Sequence, residues 1–275
     1  MPLGAFRLNS LAKTQEAVAT NAWDIDFASY DSVSKSVSSE DATPRGVEFK
    51  SDGTKMYMIG TGGDKVYQYS LSTAWDVSSA SYDSVQLVAG EATPQDIRFK
   101  PDGTKMFTIG SSGDTVREFG LSTAWDLSSA TFTTSFSVAA QDSVPVSLAF
   151  NDDGSQMIVA GVNTIYEYGL STNWDMSTAS YNSVSFSTST QEANVRSILW
   201  GDDGNILLVT GINTDDVLEY ACSTPYDIST ATYSNKAFEV GTQATNISGM
   251  AWKPDGTRFY IMDTGTDTVY QYSIS

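Results

Sequence analysis

The chain has 275 residues, 40% of them apolar and only 17% charged, and its 33 acidic against 15 basic groups give a formal net charge of −18. That is enough apolar material for a large core and argues against disorder, while a negative field without any Lys/Arg cluster excludes nucleic acid and anionic membrane surfaces as natural partners. The absence of histidine and the single cysteine, Cys222, remove Ser-His-Asp and Cys-His catalysis, imidazole or thiolate metal centres and any internal disulfide.

In chain order, residues 1–21 stand outside any repeat and are expected to form an N-terminal arm, with Leu3, Phe6, Leu8 and Leu11 as a short apolar strip. Neither a secretion-signal pattern nor an apolar run of membrane-spanning length is present. From residue 22 to 275 the chain repeats itself. Trp23-Asp24, Trp75-Asp76, Trp125-Asp126, Trp174-Asp175 and Tyr226-Asp227 recur at spacings of 52, 50, 49 and 52. A second marker follows each in phase: Asp52-Gly53, Asp102-Gly103, Asp153-Gly154, Asp203-Gly204 and Asp255-Gly256. A period near 50 with strand-like content belongs to propeller blades.

Each unit divides into four strands. An apolar run such as Gly46-Val47-Glu48-Phe49 leads into the Asp-Gly pair, where glycine accepts the positive φ of a tight hairpin. A second run, Met56-Tyr57-Met58-Ile59 in the first unit, is apolar on both faces, as a strand between neighbouring sheets should be. The third strand alternates, as in Val66-Tyr67-Gln68-Tyr69. A Leu-Ser-Thr-Ala-Trp-Asp corner then turns into a polar, Ser-rich fourth strand suited to an outer rim. Four antiparallel strands in each of five units predict an all-β, five-bladed β-propeller. The last unit stops after its third strand, and the segment from Trp23 to about Ser39 has the fourth-strand pattern with no blade before it. The ring is therefore expected to close by pairing this segment with Val269–Tyr272, since an open ring would leave two unpaired edges.

Candidate sites fall where ring residues converge. The inner strands begin with Arg45, Gln95, Val146, Arg196 and Ser248, and Arg45, Gln95 and Arg196 form a candidate site for an anionic ligand at one axial mouth. Farther along come Glu48, Arg98, Ala149, Leu199 and Ala251, with Glu48 and Arg98 placed to pair across adjacent blades. The aromatics Trp23, Trp75, Trp125, Trp174 and Tyr226 are candidate sugar contacts on the rim, or else structural covers of the blade corners whose Asp residues cap the turn. Asp64, Asp114, Asp216 and Asp267 precede the third strands and read as turn caps, one carboxylate per loop being too few for calcium. Cys222 takes the place of Leu71, Leu121, Leu170 and Ile274 and reads as a buried apolar side chain. No catalytic residue, metal site or cofactor is expected, and no Walker or dinucleotide-binding pattern occurs.

The stretches Phe99-Lys100-Pro101-Asp102-Gly103-Thr104-Lys105-Met106-Phe107 and Trp252-Lys253-Pro254-Asp255-Gly256-Thr257-Arg258-Phe259-Tyr260 resemble the Pro-Asp-Gly blades of TolB-like and lactonase-like propellers. Ser51, Asp152 and Asp202 replace the proline in units one, three and four. Lactonase-type relatives hold a catalytic metal at the axis through acidic, Asn and His side chains, and here the axial positions include Arg and Val. The opening Met1-Pro2-Leu3-Gly4-Ala5-Phe6-Arg7-Leu8-Asn9-Ser10-Leu11-Ala12-Lys13 is similar to that of structural proteins of marine tailed phages. That resemblance implies a virion protein assembled in the host cytoplasm, anchored to other virion proteins through residues 1–21 and serving decoration or adhesion to a host-surface glycan. The alternatives are a multivalent, lectin-like carbohydrate-binding propeller and a metal-dependent lactonase-type hydrolase.

Overall fold

The computed structural model describes residues 21–275; the apolar strip and the phage-like opening lie outside them. Five four-stranded antiparallel sheets form the blades. Blade one is β2 (Pro44–Phe49), β3 (Lys55–Gly60), β4 (Lys65–Leu71) and β5 (Ala80–Val88). Blade two is β6 (Pro94–Phe99), β7 (Lys105–Gly110), β8 (Thr115–Leu121) and β9 (Ala130–Ser137). Blade three comprises β10 (Ser147–Phe150), β11 (Gln156–Ala160), β12 (Thr164–Leu170) and β13 (Ala179–Ser187), and blade four β14 (Val195–Gly201), β15 (Ile206–Gly211), β16 (Asp216–Cys222) and β17 (Ala231–Glu239). Blade five joins β18 (Ile247–Trp252), β19 (Arg258–Asp263) and β20 (Thr268–Ile274) to β1 (Ala28–Ser36) from the other end of the chain.

The seam is a backbone ladder in which Ala28 faces Ile274, Tyr30 faces Tyr272 and Ser36 faces Thr268. Side chains reinforce it. Asp31 Oδ2 accepts from Gln271 Nε2 and Ser273 Oγ, both at 2.8 Å, and Asn21 Nδ2 donates to the Ser275 carbonyl at 3.1 Å. The expected closure is what the chain does, and the ring thus has no free inner-sheet edge at the seam.

The first strand of each blade lies at the axis and the fourth at the rim. Burial follows that order: β18 is buried along its whole length and β3 nearly so, whereas β5 alternates between part-buried and exposed residues. The core lies between blades. Tyr57 of blade one packs on Phe99 of blade two with ring centroids 4.4 Å apart, and Tyr260 of blade five packs on Phe49 of blade one at 4.2 Å. Sheets that are apolar on both faces bury one another, which is why the second strands read as continuous apolar runs.

The Trp-Asp corners are latches. Each Asp caps a one-turn 3₁₀ segment, as Asp76 Oδ1 does for the Ser78 amide at 3.0 Å. Each aromatic before it has positive φ, from 62° at Trp174 and Tyr226 to 68° at Trp23. Its amide donates to the carbonyl of the hairpin glycine in the same blade's Asp-Gly turn, for example Trp125 to Gly103 at 3.0 Å. At Trp75, Trp125 and Trp174 the carbonyl of the aromatic also receives a donor from the preceding blade: Tyr260 reaches Trp75 at 2.7 Å, Tyr57 reaches Trp125 and Lys105 reaches Trp174 at 2.7 Å. Gln271 and Gln68 complete the clasp by accepting the Val77 and Leu127 amides, each at 3.1 Å.

Candidate functional site

At the Asp-Gly end of the axis each inner strand carries an aromatic, as its last residue at Phe49, Phe99, Phe150 and Trp252 and one residue before the end at Trp200. Each pairs with a corner aromatic, as Phe150 does with Trp174 (centroids 5.0 Å), Trp200 with Tyr226 (5.4 Å) and Trp252 with Trp23 (5.0 Å). The five corner rings named from the sequence therefore do not stand out as separate rim sites. They lie over the hairpin glycines, and a Cβ on Gly103 would come within 2.2 Å of the Trp125 ring. In the sequence the inner aromatics belong to apolar runs that suit a strand core; the signal for their second role is that every unit places an aromatic three residues before the Asp-Gly turn's aspartate.

Fivefold regularity breaks in blades three and four. In blades one, two and five a lysine before the turn pairs with its Asp: Lys50–Asp52 at 2.7 Å, Lys100–Asp102 at 2.7 Å and Lys253–Asp255 at 2.6 Å. Burial pushes the Asp52 and Asp102 carboxyls up, but donors from the paired lysine and from Thr54 or Thr104 together hold each at about 2. Asn151 and Gly201 replace that lysine in blades three and four, so Asp152, Asp153, Asp202 and Asp203 are exposed without a local cation. Gly201 also makes room for Trp23, whose ring would lie 2.7 Å from a Cβ there. The result is a depression of about 270 Å³ lined by Trp200, Tyr226 and Trp252 together with Asp152, Asp202 and Asp203. The Tyr226 phenol is held above its ordinary range by burial and by its hydrogen bond to Asp152.

The floor of this depression is charged. Arg98, 5% exposed, binds Asp96 Oδ1 at 2.9 Å and lies 3.7 Å from Glu48 Oε2, so the pairing expected with Glu48 exists but is the weaker of the two. Arg98 also donates to the carbonyls of Ile97 at 2.7 Å and Ile198 at 3.3 Å, reaching across the ring. Asp96 accepts from Ser147 Oγ at 2.5 Å and the Leu148 amide at 3.3 Å, and Ser147 in turn accepts from the Ile198 amide at 3.1 Å. The axis is thus a packed polar plug. Burial raises Glu48 to about 7 against the opposing pull of Arg98, and raises Asp96 as well.

The opposite mouth carries the other sequence-named residues. Arg45, Gln95, Arg196 and Ser248 sit at equivalent ladder irregularities near the start of β2, β6, β14 and β18. Gln95 donates to Ser111 Oγ at 3.1 Å and Ser248 to the Pro44 carbonyl at 3.0 Å. In the loops of this face Asp64, Asp114, Asp215 and Asp267 take the left-handed turn position. The fourth-blade member is Asp215, not Asp216, because the Asp-Asp doublet offers two registers and only Asp215 has φ of 56° and a carbonyl that accepts the Val240 amide. Among the described residues no three acidic or cysteine side chains converge as a metal centre would require. Cys222 is buried beside Ala231 as expected, and burial pushes its thiol up to about 11.

No family model and no curated protein matches the sequence. Solved structures do match in shape. The β-propeller domain of Myceliophteria thermophila Cps50 (Swd1) aligns with a TM-score of 0.50 at 10% identity, covering 84% of each chain. Kuenenia stuttgartiensis hydrazine synthase aligns at 0.51 and 15% identity over 81% of this chain, and a Bacteroides fragilis NCTC 9343 protein provisionally assigned as a 6-phosphogluconolactonase at 0.49 and 16% over 72%. The present chain spans only 56% and 55% of those two. At such identities the likeness establishes the propeller fold alone.

Proposed function

We propose that the protein is a non-enzymatic binding propeller that recognises carbohydrate on its Asp-Gly face. The carrying observation is the aromatic-walled, carboxylate-rimmed depression at blades three and four, the one sector where lysine is missing from the turns. Trp252 is stacked between Trp23 and Phe259, which leaves the half-buried Trp200 and Tyr226 rings to meet the apolar C–H side of a sugar ring, and Asp152, Asp202 and Asp203 supply acceptors for its hydroxyls. A binding role fits better than catalysis because the buried axial carboxylate is committed: Asp96 is held by Arg98 and Ser147. Display on a virion, implied by residues 1–13, would make such a module a host-surface adhesin anchored through residues 1–21.

The test is a glycan array probed with the ring, followed by titration of any hit against Asp152→Ala and Asp202→Ala. Both residues are exposed, and because Asp202 has φ of 47° the Asp202→Asn variant, which keeps that backbone, is measured beside Asp202→Ala. Saturable binding that weakens about tenfold or more in these variants supports the reading. An array without hits, or hits indifferent to both substitutions, overturns it.

A further inference from the structure

The mouth opposite the aromatic depression holds two arginines that the fold does not use. Arg45 in β2 and Arg196 in β14 are half-buried, and no carboxylate lies within ion-pairing distance of either among the described residues, although both belong to a chain with more than two acids per base. Arg45 Nε is buried with no acceptor. Arg196 donates only to the carbonyl of its own neighbour Val195, at 3.4 Å. The one other basic side chain of the inner strands, Arg98, is spent on Asp96 at 2.9 Å.

The two side chains lie close enough for the charge of one to reach the other: desolvation and then the proximity of Arg45 depress the Arg196 guanidinium, with Glu192 opposing. Desolvation likewise depresses Arg45, with Asp41 opposing. Those two acids are themselves occupied. Asp41 accepts from the Thr43, Gly62 and Gly63 amides at 2.8, 3.0 and 2.9 Å, and Glu192 accepts from Asn194 at 2.6 Å and Thr214 at 3.3 Å. A pair of half-buried like charges with a single long hydrogen bond to a neighbouring carbonyl and no ion-pair partner is a cost to folding that no ion pair in the ring offsets.

We propose that Arg45 and Arg196, flanked by the Gln95 side chain, form an axial binding site for an oxyanion, a phosphate or carboxylate group, on the face opposite the sugar-type depression. Guanidinium forks match the planar carboxylate and tetrahedral phosphate edge, and two of them across one mouth favour a group bearing two charges. The site is independent of the carbohydrate reading and stands or falls without it.

The experiment uses the full chain, wild type and the double variant Arg45→Gln/Arg196→Gln, in thermal melting and calorimetric titration. The probes are inorganic phosphate as the dianion and acetate as the monoanion, each matched in ionic strength with chloride. Phosphate should raise the wild-type midpoint and acetate should do so less. The double variant should lose at least tenfold in phosphate affinity, and without ligand it should melt no lower than wild type, because a mutual repulsion has gone. If acetate matches phosphate, the site is assigned to carboxylate-bearing ligands. A wild type that responds to phosphate no more than to chloride, or a double variant that still binds phosphate, overturns the proposal.

Discussion

Asp263 in β19 and Ala244 in the loop before β18 have exchanged the roles their counterparts hold in the other four blades. In those blades a loop acid (Asp41, Glu91, Asp142 or Glu192) leans against a glycine that ends the second strand (Gly60, Gly110 or Gly211) or directly follows it (Gly161), and a Cβ on Gly110 would meet the Glu91 side chain. In blade five the acid stands on the strand instead. Asp263 accepts from the Asn246 amide at 2.7 Å and the Thr266 amide at 2.8 Å, and the loop position is the fully buried Ala244. One carboxylate serves each loop, whichever element supplies it.

The exchange predicts strong coupling. Ala244→Asp alone puts a second carboxylate against a buried one and should cost about 2–4 kcal/mol. Asp263→Gly alone takes a charged acceptor from the part-buried Asn246 and Thr266 amides and should cost about 1–3 kcal/mol. The double variant rebuilds the arrangement of the other blades and should fall within about 1 kcal/mol of wild type in urea unfolding. Additive losses would show that the two positions do not share a role.

Gly103→Ala is expected to destabilise far more than a surface glycine change. The residue has φ of 73°, and the Trp125 ring lies over it. Backbone strain of about 1–3 kcal/mol adds to displacement of the ring. A control at Gly113, which an alanine meets only through the Glu91 side chain, should lose less. Equal melting of the two variants would contradict this account of the turn.

Removal of residues 1–40 takes away β1 and bares β20, whereas removal of 1–20 leaves the seam ladder intact. The longer deletion should abolish cooperative melting or lower its midpoint by more than 10 °C, on the order expected for several lost kilocalories; the shorter should change it little. Indistinguishable melts would mean that the seam is not needed for stability.

Stability should fall as pH rises from about 4.5 to about 7. Burial holds Glu48 at about 7 in the fold against an ordinary 4.5, so across that window the native state keeps a proton that the unfolded chain has released. Asp96 adds a slope of the same sign. Glu48→Gln should remove its share, about 3 kcal/mol at most, flattening urea midpoints measured at pH 5, 6 and 7. Below pH 4 the sign reverses, because Asp52 and Asp102, held at about 2, lose their lysine partners on protonation. Parallel pH profiles for variant and wild type would count against Glu48 as a source.

Blade number, strand order and the seam were legible because Trp-Asp and Asp-Gly keep a fixed phase through all five units, and each marks a backbone position with positive φ that few residues tolerate. The depression was not legible. Phe150, Trp200 and Trp252 are where an apolar strand ends, and a one-dimensional pattern cannot separate an aromatic that fills a core from one that also walls a mouth. The Ala244–Asp263 exchange escaped for a different reason. Each substitution alone looks like decay of the repeat, and only adjacency in space makes them a single event. Arg45 and Arg196 were visible as odd residues at equivalent strand positions, but their lack of ion-pair partners belongs to three dimensions.

The seam also sets an order of events during synthesis. β1 leaves the ribosome before every other strand of the ring, yet its partner β20 emerges only after more than two hundred further residues have been made. Throughout translation the earliest strand must wait as an unpaired, serine-rich ribbon while four blades assemble behind it. Its polar composition, broken by Asp31 and Lys35, is what keeps a nascent edge of that kind from pairing with the wrong chain.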